Sequence, residues 1–111
     1  MSKQKQKGTS AETAVVKHLK GRGYPNVERR ALTGAYDKGD ISNFYDVVIE
    51  VKNHANPRLA EWMEELKTEI KNAEASTGVV IHKRRGTTNV GEWYATMPVS
   101  IYLDLVKDAY E

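Results

Sequence analysis

Apolar residues recur along the chain at spacings that indicate helices. Between Leu59 and Ala73 they fall three or four positions apart while charged residues fill the other positions, which is typical of an amphipathic helix. Similar spacing predicts a first helix over Ser10–Arg22, and proline suits the first turn of a closing helix over Pro98–Tyr110. The apolar stripe of the middle helix consists of Leu59, Trp62, Met63, Leu66, Ile70 and Ala73.

Short runs of apolar and β-branched residues between these helices predict strands. The second and third runs are close enough to form a β-hairpin, and a loop rich in glycine and aspartate, Thr33–Gly39, precedes them. The order α-β-β-β-α-β-β-α predicts an α/β domain with a mixed central sheet flanked by helices. The five predicted strands are Val27–Leu32, Ile41–Phe44, Val47–Val51, Gly78–Ile81 and Glu92–Met97.

The first eight residues, M-S-K-Q-K-Q-K-G, are polar, basic and low in complexity. Such a segment predicts a flexible basic tail. Thr9 and Glu12 have the spacing of a capping box, so a single structured domain is expected to cover residues 9–111.

The composition suits one domain without disulfides or a membrane segment. The chain has 111 residues, of which 40% are hydrophobic, and single domains typically contain about 100–150 residues. It has no cysteine, so a metal ion would need oxygen or histidine ligands, and oxygen ligands favour magnesium, with manganese as a substitute. Because no apolar run could span a membrane and no export signal is present, a cytoplasmic protein is expected, in the host cytoplasm if a phage encodes it.

Positive charge is concentrated in residues 1–30. Eight lysines and arginines stand against two glutamates there, a net charge of +6, whereas the whole chain has a net charge of +2. Lys83, Arg84 and Arg85 form a second basic group. Concentrated positive charge suits a phosphate backbone, although a solvated tail and an ordinary charged loop would also explain this pattern.

Two acidic residues are expected to face each other across the predicted hairpin. A symmetric turn places Ile41 opposite Ile49 on the apolar face. It also places Asp40 opposite Glu50, and facing Cβ atoms of such pairs lie roughly 4.5–5.5 Å apart. Like charges in this position destabilise a hairpin, so the arrangement requires a compensating cation. A divalent metal held by both carboxylates would supply it, with the Val51 carbonyl as another oxygen ligand.

Lys52 shares the face of Glu50, because side chains alternate along a strand and Lys52 lies two residues further, about 6.6 Å at ~3.3 Å per residue. Its ammonium group could position or deprotonate a water molecule and neutralise developing charge. The same triplet recurs at Glu65–Lys67 and Glu69–Lys71, but residues two apart on a helix do not face each other. An alternative interpretation is a turn aspartate beside an exposed, salt-bridged strand face.

These residues resemble the core motif of the PD-(D/E)XK nuclease superfamily. Asp40, nine intervening residues and then Glu50-Val51-Lys52 match its pattern, except that Gly39 stands where the proline of the name would be. Lys7–Glu12 and Arg29–Gly34 are similar to the opening helix and to the arginine-containing strand and loop of archaeal and phage Holliday-junction resolvases. The resemblance covers about residues 5–85.

The resemblance implies a restriction-endonuclease-like fold and assigns roles to single residues. Asp40 and Glu50 become metal ligands, Lys52 the catalytic lysine, and Glu12 a further acid directed at the metal or its waters. The capping box would account for Glu12 as well, and the two roles are compatible.

The resemblance also implies contacts with DNA. Arg29 and Arg30 become candidates for binding phosphate near the cut bond, and Thr33 a lesser backbone contact. With the basic groups above, the expected DNA-binding residues are Lys3, Lys5, Lys7, Arg29, Arg30, Thr33, Lys83, Arg84 and Arg85.

Other polar and aromatic residues near the predicted strands receive structural interpretations. His54 and His82 follow strands and are expected to be strand-end or surface residues rather than metal ligands. Lys83 could line the active site from the neighbouring strand. Trp93 and Tyr94 alternate, so one should be buried and the other exposed.

The expected function is magnesium-dependent hydrolysis of DNA phosphodiesters at branched or four-way junctions. Resolving a junction takes two paired cuts, and the chain contains one candidate site, so a homodimer is expected. In resolvases the region of the helix after the motif helps form the dimer, whereas its apolar stripe is expected here to be core. A nickase, exonuclease or restriction-type nuclease is an alternative, because fold does not fix substrate.

A non-catalytic DNA-binding module is a further alternative, for which the basic amino terminus would suffice. The carboxylates argue against it, because a simple binder of a polyanion has no use for acidic groups facing its ligand.

Overall fold

The computed structural model describes residues 3–31 and 36–111. Within them the order of helices and strands is the predicted one, with a 3-10 turn (Val90–Glu92) before the last strand. The elements are α1 (Lys3–Gly21), β1 (Glu28–Arg29), β2 (Ile41–Ser42), β3 (Val47–Lys52), α2 (Leu59–Ala73), β4 (Thr77–His82), β5 (Tyr94–Thr96) and α3 (Val99–Tyr110).

The strands form one mixed sheet in the order β1-β2-β3-β4-β5. β3 and β4 are parallel, with Lys52 paired to His82, and the other neighbouring strands are antiparallel. α2 provides the long connection that a parallel pair needs. Because β3 and β4 run in the same direction, their carboxyl ends and the loops that follow lie at the same edge of the sheet.

The alternating side chains of β3 divide the core into two layers. Ile49 is buried on the face covered by α1, in a cluster that includes Val15. Val48 is buried on the opposite face, against Trp62 and Leu66 of α2. The predicted alternation of β3 and the predicted apolar stripe of α2 are both confirmed. The predicted α/β class with a mixed sheet is confirmed as well.

The predicted start of the first helix is wrong. α1 begins at Lys3 rather than at Ser10, so it includes residues assigned to the tail. Lysine and glutamine are good helix formers, and the run of them continues the helix toward the amino terminus. Thr9 lies inside α1 and cannot be its N-cap residue, so the capping-box interpretation of Thr9 and Glu12 is also wrong.

Several strands are shorter than predicted. β1 and β2 have two residues each and β5 has three. Residues 32–35, which include the end of the first predicted strand and Thr33, lie outside the described part of the chain. The alternation predicted for the last strand is confirmed, since Trp93 is buried and Tyr94 is exposed.

The three helices differ in how much of their surface is covered. α1 is the longest, with 19 residues, but it is strongly polar. α3 has no buried residue. Across residues 3–31 and 36–111, the helices are either too short or too polar to cross a membrane.

Leu66 and Leu59 lie on the same helix in different environments and permit a matched test of the core. Leu66 is 0% exposed and Leu59 is 44% exposed. Leu66→Ala should lower the free energy of unfolding by about 2–5 kcal/mol, because it leaves a cavity between α2 and the sheet. Leu59→Ala removes the same atoms and should cost about 1 kcal/mol or less. Urea unfolding measures both values, and equal losses would contradict the packing of α2.

Candidate active site

Asp40 and Glu50 lie side by side at the end of the hairpin. Ile41 pairs with Ile49 as predicted, and the Asp40 N–H donates a hydrogen bond to the Ile49 carbonyl at 2.9 Å. The Asp40 carboxylate turns toward β3, where Oδ2 accepts a hydrogen bond from the Val51 N–H at 2.7 Å. After burial, the neighbouring Asp40 carboxyl group is a further cause of the raised pKa of Glu50. The pairing of Ile41 with Ile49 that was predicted from the apolar face is confirmed.

Gly39 sets the direction in which the chain enters Asp40. Its φ is +97°, and a Cβ atom there would lie 2.8 Å from Val48 Cγ1 and 3.1 Å from the Ile49 carbonyl oxygen. A proline ring holds φ near −65°, so proline cannot adopt this conformation. The departure from the proline of the motif therefore has a physical reason, which is that this backbone requires glycine.

Two further carboxylates, which the sequence prediction missed, approach Glu50. Oxygen atoms of Asp37, Glu50 and Glu69 lie within 4.8 Å of one another. Asp37 Oδ1 accepts a hydrogen bond from the Gly39 N–H at 2.9 Å, and the Asp37 carbonyl accepts one from the Asn72 side chain of α2 at 2.9 Å. These bonds hold the loop before β2 against α2. Asp37 of this loop and Glu69 of α2 therefore both lie close to the Glu50 carboxylate of β3.

A signal for Glu69 was present in the sequence. Glu69 follows Leu66 by three positions and Trp62 by seven, so it lies on the apolar stripe of α2 rather than on the charged face. It is 3% exposed. A buried carboxylate costs free energy unless it is paired or binds a cation. A glutamate on an apolar stripe therefore indicates a candidate site residue. Asp37 lies in a loop, where no periodic spacing could reveal it.

Burial and crowding disfavour ionisation of this acidic group. Glu50 is 5% exposed, and burial, together with hydrogen bonds and charges from Asp40 and Glu69, raises its pKa far above the usual range. Burial raises the pKa of Glu69 as well; the hydrogen bond with Glu50 opposes this shift, and the charges of Asp37 and Asp40 reinforce it. The acidic group must therefore hold protons or bind a cation.

The donor set fits a hard divalent cation. The candidate side chains are all carboxylates, and oxygen ligands are those that Mg²⁺ and Mn²⁺ prefer. Glu69 Oε2 is buried without a hydrogen-bond partner, which leaves a lone pair available in the interior. Glu50 belongs both to the predicted pair with Asp40 and to the group with Asp37 and Glu69. The Val51 carbonyl stays a predicted ligand.

Lys52 lies on the same face as Glu50 but bonds to a residue of α2. Its Nζ is 2.9 Å from Glu65 Oε2 and 6.0 Å from the centroid of the Trp62 ring. Burial lowers the pKa of Lys52, but the hydrogen bond to Glu65 and the charges of Glu50, Glu65 and Asp40 raise it by more, so the net pKa is above its usual value. A lysine that stays protonated favours stabilisation of negative charge over proton abstraction.

Glu12 of α1 is near enough to Asp40 for the two charges to interact. Burial raises its pKa, and the charge of Asp40 acts in the same direction while Arg29 opposes both. Arg29 Nε lies 3.6 Å from Glu12 Oε1. Arg30 takes part through its backbone, since its N–H donates to the Asp40 carbonyl at 2.8 Å. Of the two candidate arginines, Arg29 is the one whose side chain lies against an acid of the site.

The remaining predicted DNA-binding residues lie in different places. Lys7, Lys83 and Arg85 line one cavity, whereas Arg84 is 3.8 Å from Glu92. Lys5 is part of α1. Thr33 and the side chain of Lys3 lie outside the described part of the chain.

His54, which follows β3, and His82, which is the last residue of β4, contact aromatic or hydroxyl groups. His54 lies beside Trp62, with ring centroids 5.7 Å apart. His82 is buried, and its Nε2 is 2.7 Å from Thr96 Oγ1 of the neighbouring strand. Burial lowers the pKa of His82. These contacts account for His82 as a structural residue that links β4 and β5.

In comparisons with known proteins, no family model, no curated protein and no solved structure matches the chain.

The raised pKa of Glu50 predicts that this residue destabilises the metal-free protein. A folded pKa above the unfolded value of 4.5 gives stability that is present below that value and lost as pH rises through the folded pKa. At neutral pH Glu50→Gln should therefore raise the free energy of unfolding by about 1–3 kcal/mol. The measurement is thermal unfolding in EDTA from about pH 5 to about pH 8, over which the wild type should lose more stability than Glu50→Gln.

The same variant should lose stabilisation by metal. At a magnesium or manganese concentration about 100 times Kd, the wild type should gain about 2.7 kcal/mol, and Glu50→Gln should gain little. Glu64→Gln makes the same chemical change at an exposed position of α2 and should behave as the wild type. An unchanged response of Glu50→Gln to metal would remove Glu50 from the ligand set.

Proposed function

We propose that this chain is a magnesium-dependent DNA endonuclease with a restriction-endonuclease-like fold, similar to PD-(D/E)XK nucleases and to Holliday-junction resolvases. The observation that carries the proposal is the placement of Asp40 beside Glu50 at the end of β3 with Lys52 two residues further on. Glu69 supports the proposal, because its carboxylate belongs to the same acidic group as Glu50 and its Oε2 atom is buried without a hydrogen-bond partner.

The carboxylates have the role of ligands in this proposal. Asp40 and Glu50 hold the cation, with Glu69 and Asp37 as further oxygen donors and Glu12 directed at the same region. When bound, magnesium lowers the pKa of water and polarises a phosphoryl oxygen, as metal ions do in phosphodiester hydrolysis. The chain itself supplies the positions of these oxygen donors, fixed by the hairpin, by α1 and by α2.

Lys52 has an electrostatic role. Its ammonium group is protonated and half-buried, so it can stabilise negative charge that develops on the phosphate during attack. Glu65 positions this ammonium group from α2. Arg29, whose side chain is 44% exposed beside Glu12, can bind the same phosphate from the α1 side. Charges of both signs thus surround the end of β3.

The proposed substrate is branched DNA, with a four-way junction as the most demanding case, cut by a homodimer. Two paired cuts require two sites, and the described part of the chain contains one such group of carboxylates. A nickase, exonuclease or restriction-type nuclease would use the same residues on another substrate. A non-catalytic binding module is disfavoured, because buried carboxylates repel a polyanion and destabilise the fold unless a cation is bound.

The direct test is incubation with a labelled four-way junction and with a linear duplex of matched sequence, in magnesium and in EDTA. Cleavage of the junction in magnesium alone, in symmetric pairs, is the expected result. Asp40→Asn should abolish cleavage while DNA binding survives, because it removes a ligand and a negative charge near phosphate. Binding without cleavage by the wild type would favour the non-catalytic module, and preference for the linear duplex would favour a restriction-type substrate.

The role of Lys52 has a matched control in Lys67. Lys52→Ala should lower the cleavage rate by roughly 10²–10⁴-fold while metal-dependent stabilisation persists. Lys67 occurs in an identical Glu-x-Lys triplet, but it lies on α2, is 57% exposed and contacts Glu64. Lys67→Ala should leave the rate within about twofold, since exposed ion pairs contribute little. Equal losses in the two variants, measured as single-turnover rates, would contradict the assignment of Lys52.

A further inference from the structure

A cavity of about 450 Å³ lies beyond the carboxyl ends of the parallel strands β3 and β4. Asn53 and His54, which directly follow β3, form one wall, and Lys83 and Arg85, which follow β4, form another. The Lys83 N–H donates to the Lys52 carbonyl at 3.0 Å, which holds the two loops together. The first turns of α1 close the cavity. Ligands of α/β proteins commonly bind in such a crevice.

Three positive side chains from two separate elements converge on this cavity. They are Lys7 of α1 and Lys83 and Arg85 of the loop after β4, and no acidic residue is among the described residues that line it. Lys83 Nζ lies 5.9 Å from the centroid of the Trp93 ring, which restrains it at the wall. An anion is therefore the expected ligand, and a phosphate group is the anion that lysine and arginine together bind well.

The size and the polar lining of the cavity indicate a ligand larger than phosphate. Its volume falls within the range of roughly 300–1,000 Å³ that is typical of sites for small organic ligands. Asn53 and Gln6 line it, and each amide offers both donors and an acceptor, as is needed to contact the edge of a base. His54 lines the cavity as well.

We infer that this cavity binds one unpaired nucleotide of a DNA strand. Its phosphate would contact Lys7, Lys83 and Arg85, and its base would contact the amides of Asn53 and Gln6. A base within a duplex keeps its pairing edge and both faces covered, so only a base out of the stack can enter a pocket. The inference rests on the proposed function for the identity of the polymer as DNA, and it adds a preference for unpaired nucleotides.

The cavity is close enough to the carboxylates to act on the same strand. Asn53 follows Glu50 by three residues, about 10 Å at ~3.3 Å per residue. Phosphates of a stacked strand are spaced about 3.4 Å along the helix axis. The bound nucleotide would thus lie within about three positions of the cut. Branch points and strand ends supply unpaired nucleotides at this distance, whereas a continuous duplex does not.

The test compares two labelled DNAs that differ by one unpaired nucleotide, with binding measured by fluorescence anisotropy in EDTA. The wild type should bind the DNA with the unpaired nucleotide more tightly. Arg85→Ala should weaken binding of that DNA by roughly 5- to 30-fold, and binding of the duplex by less. Arg84→Ala removes the same charge from the same loop, but Arg84 contacts Glu92, and the variant should weaken both DNAs by the same small factor.

Asn53→Ala leaves every charge in place and tests the contact with the base. It should reduce the preference for the unpaired nucleotide while duplex binding stays constant, in protein whose thermal unfolding matches the wild type. Thymidine monophosphate should displace the preferred DNA at lower concentration than inorganic phosphate does. Equal competition by the two compounds, or equal effects of Arg84→Ala and Arg85→Ala, would overturn the nucleotide site.

Failure of the nuclease proposal gives a different result. If wild-type protein in magnesium cuts no DNA but keeps a preference that depends on Arg85 and Asn53, the cavity assignment stands and the nuclease assignment falls. If it cuts branched DNA in magnesium while Arg85→Ala and Asn53→Ala leave the binding preference unchanged, only the cavity assignment falls.

Discussion

The buried carboxylate of Glu50 is the constraint on which the surrounding structure depends. It is 5% exposed and contacts Asp40 and Glu69, which come from the opposite side of the hairpin and from α2. Burying like charges together costs stability unless a proton or a cation is bound. A fold optimised only for stability would place apolar side chains here, as it does at Val48 two residues earlier. The cation of the proposed function would offset this cost.

Backbone features that have no role in the core keep the carboxylates in place. Gly39 adopts a positive φ at a distance from Val48 that excludes any side chain, and its N–H holds the Asp37 carboxylate. Asn72 fixes the same loop from α2. Lys52, the ammonium group on this face, bonds to Glu65 and therefore does not neutralise Glu50 through a direct ion pair. The acidic group is thus rigidly positioned and incompletely compensated by the residues that surround it.

Much of this arrangement follows from local sequence patterns, because strand alternation fixes faces and the apolar pair Ile41–Ile49 fixes the register. Those two facts bring Asp40 to Glu50 without knowledge of the rest of the chain. The position of Glu69 also follows from a local pattern, because a glutamate on the apolar stripe of α2 faces the sheet and needs a polar group there. Asp37 depends on the path of a loop, which side-chain periodicity does not determine.

The amino-terminal lysines illustrate a different limit of sequence patterns. A polar, repetitive segment predicts flexibility, yet its residues have good helix propensity and extend α1 to Lys3. The extension has a consequence for charge, because it carries Lys7 to the loops after β3 and β4. Net charge alone, only +2 for the chain, does not reveal this.

Positive and negative groups lie at the same end of β3 but on different sides of it. Asp37, Glu50 and Glu69 lie between the sheet and α2, and the cationic cavity lies at the edge of the sheet beyond Lys52. In the proposed function a DNA strand that occupies the cavity also reaches the carboxylates, which would repel it while ionised and attract it through a bound cation. Binding of metal and binding of the strand would then favour each other. This coupling follows from the separation of charge along one strand and does not require a change in conformation.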